Sequence, residues 1–185
     1  PTFHALPLFS LREIHMSLET VGLTHKLDLT LRRMQGQGLL LTSVDPDGKP
    51  NVMTIGWGNP GVVWGRPVFV VLVRPSRYTF QNIETTGEFV VNVPTESLAE
   101  ACEHCGTVSG REHAKFKECG LTPRAGRHVE APLIEECVLH YECRVLQRND
   151  LVESQLDADV RKEFYGAGDF HRVYYGEVLG TLARV

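Results

Sequence analysis

Two short stretches of the chain place hydroxyls and cations where they could hold an anion. The first is Arg-Pro-Ser-Arg-Tyr-Thr, Arg74 to Thr79. Pro75 ends an apolar run, and Ser76 is a good cap for a helix over Arg77 to Thr85. The first amides of such a helix lack internal acceptors and carry the positive end of its dipole. Arg74 and Arg77 add charge, while Ser76 and Thr79 add hydroxyl donors for phosphate oxygens. The second stretch, Val-Ser-Gly-Arg-Glu-His-Ala-Lys from Val108 to Lys115, repeats the chemistry. Ser109 is the cap, Gly110 permits close backbone approach, and Arg111 and Lys115 supply charge. Each stretch alone also reads as a capped helix with solvated cations. Cations normally favour the other end of a helix, so two such starts in a chain of net charge −4 point to a shared anion.

Two other patterns invite chemistry and fail on context. Gly-Trp-Gly-Asn-Pro-Gly, Gly56 to Gly61, has the letters of the dinucleotide fingerprint G-x-G-x-x-G. That fingerprint works only where it ends a strand and opens a helix. Here Pro60 interrupts, and a β-rich run follows Gly61, so the glycines read as a loop and bulge between strands. Cys102 and Cys105 have redox or metal spacing, with His104, His113 and Cys119 nearby. A zinc site usually shows a second close ligand pair, and a thioredoxin-like motif needs its own βα setting. Neither is present, so the cysteines read as buried free thiols and no metal is expected. There is no Gly-x-Ser-x-Gly elbow, His-Glu-x-x-His or Walker loop.

The elements that must position the two anion stretches are mostly strands. A helical segment is expected around Leu18 to Met34. "GLLLTSV" and "PNVMTIGWG" then flank the turn "DPDGKP" as a hairpin. Val68 to Val73 are apolar at every position, which predicts a central strand covered on both faces. Gly87 stops the first helix, and Glu88 to Val93 forms another strand. A second helical region runs through "TESLAEACEHC", and a third opens at Ser109 and closes at Gly120. "CVLHYECRVLQR" and "HRVYYGEVLGTLARV" return to strand patterns. The acidic excursion between them, Leu151 to Gly168, reads as a solvated loop. Hairpin-linked strands with inserted short helices suggest an antiparallel barrel.

Length and composition narrow the function. The 185 residues suit one domain, 1–185, with 1–35 an N-terminal extension carrying no recognisable motif. With 19 basic and 23 acidic side chains, no global field draws in nucleic acid or an anionic membrane. Apolar runs are strand length, well short of the ~20 residues of a membrane helix. No secretory signal is visible at the N-terminus, and five cysteines without framework spacing suggest reduced thiols in a cytoplasm.

The stretches "DGKPNVMTIGW", "VRPSRYTFQNIETTGEFVVNVP", "CGTVSGREHAKFKECGLTP", "APLIEECVLHYECRV" and "YYGEV" resemble the flavin reductase-like, FMN-binding split-barrel family, in its flavoredoxin branch. The resemblance runs in order from about Leu39 to the C-terminus. It implies a mainly β fold with inserted helices: a six-stranded antiparallel split barrel of Greek-key topology. It also implies non-covalent FMN and a homodimer whose subunits both border the cofactor. Residue by residue, Asn51, Thr54, Ile55 and Trp57 match the strand along the isoalloxazine ring and ribityl chain. Ser76, Arg77 and Thr79 match the phosphate-side cluster, and Ser109 and Lys115 match the second loop. His171 matches a histidine near the flavin, although the family's usual Gly-Asp-His order reads "GDFHRV" here. Read without the family, Trp57 is a core or interface tryptophan before it is a flavin contact.

Three functions follow. The first is a flavin-dependent oxidoreductase that takes electrons from NADH or NADPH through FMN to a small acceptor or an electron-transfer protein. It needs positioning more than acid–base catalysis, so no catalytic residue is assigned and His171 is the one candidate proton donor. The second is an electron carrier or FMN-binding module without its own NAD(P)H turnover. The third is haem or another planar ligand in the same cleft, which the phosphate-side cluster disfavours.

Overall fold

A computed structural model describes residues 17–185. The first 16 residues, including the stretch read for a secretory signal, lie outside the described residues. In chain order the elements are β1 (Leu18–Thr20), α1 (Leu27–Gln35), β2 (Leu39–Val44), β3 (Pro50–Ile55), β4 (Gly58–Val63), β5 (Arg66–Val73), α2 (Tyr78–Thr86) and β6 (Glu88–Val93). They continue with α3 (Ala99–Thr107), α4 (Lys115–Glu118), β7 (Pro123–Arg124), β8 (Leu133–Ile134), β9 (Leu139–Asp150), α5 (Ala158–Phe164) and β10 (Arg172–Arg184).

Eight strands form one antiparallel sheet in the order β3-β2-β6-β9-β10-β5-β4, with β1 beside the far half of β10. The mainly β, antiparallel character with inserted helices matches the expectation, but the sheet holds eight strands where six were expected. The β2–β3 hairpin forms as read, with Leu39 opposite Ile55 and Val44 opposite Pro50. β7 and β8 make a separate two-stranded pair.

Period-two alternation builds the main core. Leu39, Leu41, Met53, Phe69, Val71, Phe89, Val91, Tyr141 and Tyr174 all turn to one side of the sheet. The intervening residues Leu40 and Val52 turn the other way and pack on Cys102 and Cys105 of α3. β2 is therefore buried at every position. The same double covering was expected for β5, and there it fails: Val70 and Leu72 are only half-buried. β5 is central, between β10 and β4, but the Leu72 face opens on a cleft. Apolar residues on both faces thus mark a strand that serves a core on one side and a site on the other. β9 and β10 pair along nearly their whole lengths, with register shifts at Tyr175/Gly176 and Val178/Gly180. A Cβ on Gly176 would come within 2.4 Å of the Phe89 ring, so that bulge requires glycine.

Three helical expectations change. The segment from Leu18 to Met34 divides into β1 and α1, because Leu18 to Thr20 pair with Thr181's neighbours Leu182 to Arg184. Ser76 does not cap α2. Arg77 occupies that position in an extended conformation, and the Ser76 hydroxyl is used elsewhere. Ser109 opens a turn instead of a helix: its carbonyl accepts from the amides of Glu112 and His113, and helix begins only at Lys115. Gly87 and Gly120 end their segments as expected, with φ of 70° and 62°.

Gly58 to Gly61 lie within β4, paired with β5, so the glycine fingerprint belongs to a hairpin. The excursion after β9 contains α5, capped by the Asp157 carboxylate on the amides of Asp159 and Val160. It is therefore a built element, where a solvated loop was expected.

Candidate functional site

The site lies where the end of β3, the start of α2 and the 105–115 segment meet. Two adjoining cavities, of about 190 and 90 Å³, share Met53 and Arg77. The first is bordered by Thr54, Ile55, Trp57 and His171, together with Leu72 and Arg74. The second is bordered by Asn51, Ser76, Thr79, Ser109 and Lys115, with Tyr78, Cys105, Val108 and Gly110. All ten residues selected from the sequence line one or the other. No aspartate or glutamate lines either cavity.

The smaller cavity is polar and rigidly assembled. Asn51 donates to the Thr79 hydroxyl at 2.8 Å, tying β3 to the first turn of α2. Gly110 packs against that pair so closely that a Cβ would lie 1.9 Å from Asn51 Oδ1. Arg111 bridges the two turns, donating to the Ser76 carbonyl at 3.1 Å with its guanidinium over the Tyr78 ring. Tyr78 in turn donates to Asp45 at 3.1 Å, and burial pushes its phenol upward.

Lys115 is the electrostatic centre. It is 5% exposed, and its ammonium donates to the Cys105 carbonyl at 3.0 Å. Burial lowers its pKa, and Arg77 adds to that effect. An ammonium has three donors, and among the described residues no carboxylate pairs with Lys115 or Arg77. A buried cation without a counter-ion is costly unless an anion completes it. The donor set of ammonium, guanidinium and hydroxyls, in a cavity without carboxylates, therefore fits a phosphate.

The larger cavity is walled by aromatics. Trp57 packs edge-on against Phe164 of α5, with centroids 5.0 Å apart, and against the His171 ring at 4.8 Å. His171 shares a 2.8 Å hydrogen bond between Nδ1 and the Tyr165 hydroxyl. Burial, aided by Arg74, pushes His171 down to about 4, so the imidazole is neutral near pH 7. On the opposite wall, the Thr54 hydroxyl donates to the Cys102 carbonyl and fixes β3 to α3.

Several residues depart from their expected roles. Arg74 does not serve the anion cavity. It donates to the carbonyls of Phe164 and Asp169, at 2.8 and 2.9 Å, and lies over the Tyr165 ring. It pins the loop between α5 and β10. Asp169, not singled out in the sequence, accepts from the Ser76 hydroxyl at 2.6 Å and from the Ser76 amide at 3.3 Å. A carboxylate thus occupies two donors of the first anion turn. Asp169 has φ of 55° after Gly168 at 77°, a conformation that aspartate tolerates better than most residues. The departure "GDFHRV" was the available signal for this loop. Phe164 and Tyr165 were also missed, since nothing local in an acidic segment says which aromatics pack on Trp57 and His171. Cys105 borders the anion cavity, and burial pushes its thiol up to about 12; Cys102 is pushed to about 11. Both are protonated free thiols and carry no thiolate chemistry at neutral pH.

Residues 31–184 match the family described as "Flavin reductase like domain". An uncharacterized protein of Archaeoglobus fulgidus is 39% identical over 131 residues, covering 71% of this chain and 64% of its own length. The chain spans about three-fifths of the length of the curated relatives it matches. Among solved structures, flavoredoxin from Methanosarcina acetivorans superposes with a TM-score of 0.63 at 26% identity, covering 79% of this chain and 67% of that one. An FMN-binding domain of a flavin reductase-like enzyme from Shewanella baltica gives a TM-score of 0.65 at 20% identity, with coverages of 91% and 78%. At that identity the likeness is one of fold.

Proposed function

Because the chain belongs to the flavin reductase-like domain family, we propose that it binds FMN non-covalently in the joined cavities and acts as a flavin-dependent oxidoreductase. NADH or NADPH is the proposed donor; free flavin, another small molecule or an electron-transfer protein is the proposed acceptor. The observation that carries this reading is Lys115, a buried ammonium beside Arg77 in a cavity of hydroxyls without a carboxylate.

FMN when bound supplies the hydride and electron chemistry. The protein's part is to hold and shield. Ser76, Arg77, Thr79, Ser109 and Lys115 are the residues proposed for the phosphate. Asn51, Thr54 and Ile55 present the β3 side to the ribityl chain and ring, and Trp57 and His171 form the outer wall. His171 is neutral near pH 7, which suits a hydrogen-bonding wall better than a strong acid. Its role as proton donor is tested by the reduction and reoxidation rates of His171→Asn.

A second reading is that of an electron carrier without its own NAD(P)H turnover. Trp57 and His171 border the larger cavity, with Phe164 packed on Trp57, and rings at that wall would shield a flavin from a nicotinamide. A homodimer is proposed for either case. β4 is a sheet edge next to exposed Trp64 and carries exposed Val62, 63% and 70% accessible, and a second copy is the proposed cover. A cytoplasmic setting is proposed from the five free thiols. Among the described residues, no helix is long and apolar enough to cross a membrane.

Titration of apo-protein with FMN, FAD and riboflavin tests the cofactor. FMN should bind most tightly, with absorption near ~450 nm, and riboflavin binding as tightly as FMN would overturn the phosphate placement. Steady-state oxidation of NADH and NADPH, with and without added flavin, separates the enzyme from the carrier.

A further inference from the structure

Beside α4, outside both cavities of the flavin reading, stands a cluster that nothing above uses. It comprises His104 on α3, His113 in the following turn, and Glu118 on α4. Glu118 Oε2 lies 2.8 Å from His104 Nε2 and 3.1 Å from His113 Nδ1. The three candidate ligand atoms all fall within 4.8 Å of one another. The second Glu118 oxygen accepts from the Ala114 amide at 3.0 Å, which fixes the orientation of the carboxylate. A surface hollow bordered by His104, Glu118 and Cys119 leaves the cluster open to solvent.

This geometry is near that of a metal centre. A tetrahedral zinc with ligands about 2.0–2.1 Å away has ligand–ligand edges of about 3.3 Å, so both nitrogen–oxygen edges need only a few tenths of an ångström of expansion. Closing the remaining nitrogen–nitrogen edge takes at most about 1.5 Å, within the reach of half-exposed imidazoles. The ion would replace the protons that the imidazoles now share with the carboxylate. Two imidazoles and one carboxylate suit zinc and its neighbours in the first transition row, and suit magnesium or calcium poorly.

We propose that His104, His113 and Glu118 bind one divalent transition-metal ion of the zinc class, with a fourth position left to water. The cysteines that carried metal-like spacing in the sequence are not its ligands. Cys119 Sγ lies 3.9 Å from Cys105 Sγ, and Cys102 belongs to the packing under α3. The ion clamps the end of α3 to the turn and short helix that carry Ser109, Gly110 and Lys115. Without it, α4 is four residues long, and these partly exposed histidine–carboxylate contacts contribute little to holding it.

The test uses the full chain after chelator treatment, titrated with zinc chloride alone by calorimetry and with cobalt chloride by absorption. The expected result is one equivalent per chain, with proton release and a visible cobalt band. His113→Ala and Glu118→Gln should each weaken zinc at least about tenfold, and Cys119→Ser should leave it unchanged. Zinc should raise the melting temperature of the wild type but not of Glu118→Gln. Equal melting temperatures without metal establish that the variants fold; should His113→Ala fail to fold, Glu118→Gln carries the same comparison. Three results would each overturn the site: variants that bind like the wild type, a stoichiometry other than one, or loss of binding in Cys119→Ser. This test is independent of the flavin reading, since it contains no flavin.

Discussion

The two halves of the cleft are built by opposite means. The anion half is assembled from two turns far apart in sequence, joined to each other by Arg111 to Ser76 and to β3 by Asn51 to Thr79. Its chemistry is set by charge, and its rigidity by close backbone approach at Gly110. The aromatic half is assembled from Trp57 and a segment inserted before β10, held by Arg74 on backbone carbonyls and by ring packing. Charge placement recognises one chemical group and loses nearly everything when removed. An aromatic wall contributes area and tolerates substitution. The two halves should therefore fail in different ways.

The largest expected effect breaks the anion half alone. Arg77→Ala with Lys115→Met should weaken FMN by at least about a hundredfold, since each charge-assisted contact contributes roughly 1.5–3 kcal/mol. Riboflavin affinity should hardly move, and the melting temperature should stay or rise because a buried charge has gone. Equal FMN affinity in isothermal titration would sink the assignment. The aromatic half gives the next effect: Trp57→Ala should weaken FMN and riboflavin alike, by about tenfold, consistent with the loss of one aromatic contact. A loss confined to FMN would mean the halves are not separable.

Titration sharpens the contrast. His171 protonates at about 4 in the fold, against about 6.5 unfolded, and buried His140 at about 3. Between those values the unfolded chain binds more protons, so stability rises with pH there, is complete above about 6.5, and is lost toward 4. Each histidine adds a slope of up to about 1.4 kcal/mol per pH unit. Denaturant unfolding of His171→Asn should show a shallower acid slope. Lys115 acts at the other extreme: its pKa is lowered, so FMN affinity should fall with alkalinity below the usual lysine range. Lys115→Met should abolish that fall, as read by FMN titration across pH.

The smallest effect has the opposite sign. Asp169 holds the hydroxyl and amide of Ser76 and competes with any anion for them. Asp169→Asn should tighten FMN by a few-fold in equilibrium titration, and a weakening would show that Asp169 serves the site by holding the loop.

That the two hydroxyl- and cation-bearing stretches border one cavity was legible because the signal of each is local. Ser76, Arg77 and Thr79 sit in one stretch and Ser109 and Lys115 in another, so composition alone marks both. What could not be read locally was how the stretches are used. The Ser76 hydroxyl goes to Asp169, 93 residues away, and so leaves the cap position to Arg77. Helix propensity around Ser109 yields to a turn that lets Gly110 rest on Asn51. Strand pattern and hairpin punctuation gave the antiparallel sheet. Yet the same pattern in Val68 to Val73 could not tell a second core from a cleft, because both bury apolar faces. The aromatic wall was hidden for a related reason: Phe164 and Tyr165 acquire meaning only once β10 brings His171 back beside Trp57.

Along the edge opposite β9, β10 pairs with β5 over its first half and with β1 at the far end. It begins directly after His171, and its other end is held by β1. Strain at the β1 pairing would be transmitted along one hydrogen-bonded strand to the outer wall of the cleft. The β1 pairing and the outer wall of the cleft are in this sense one mechanical part, and a substitution that loosens β1 is not a neutral change for the cleft.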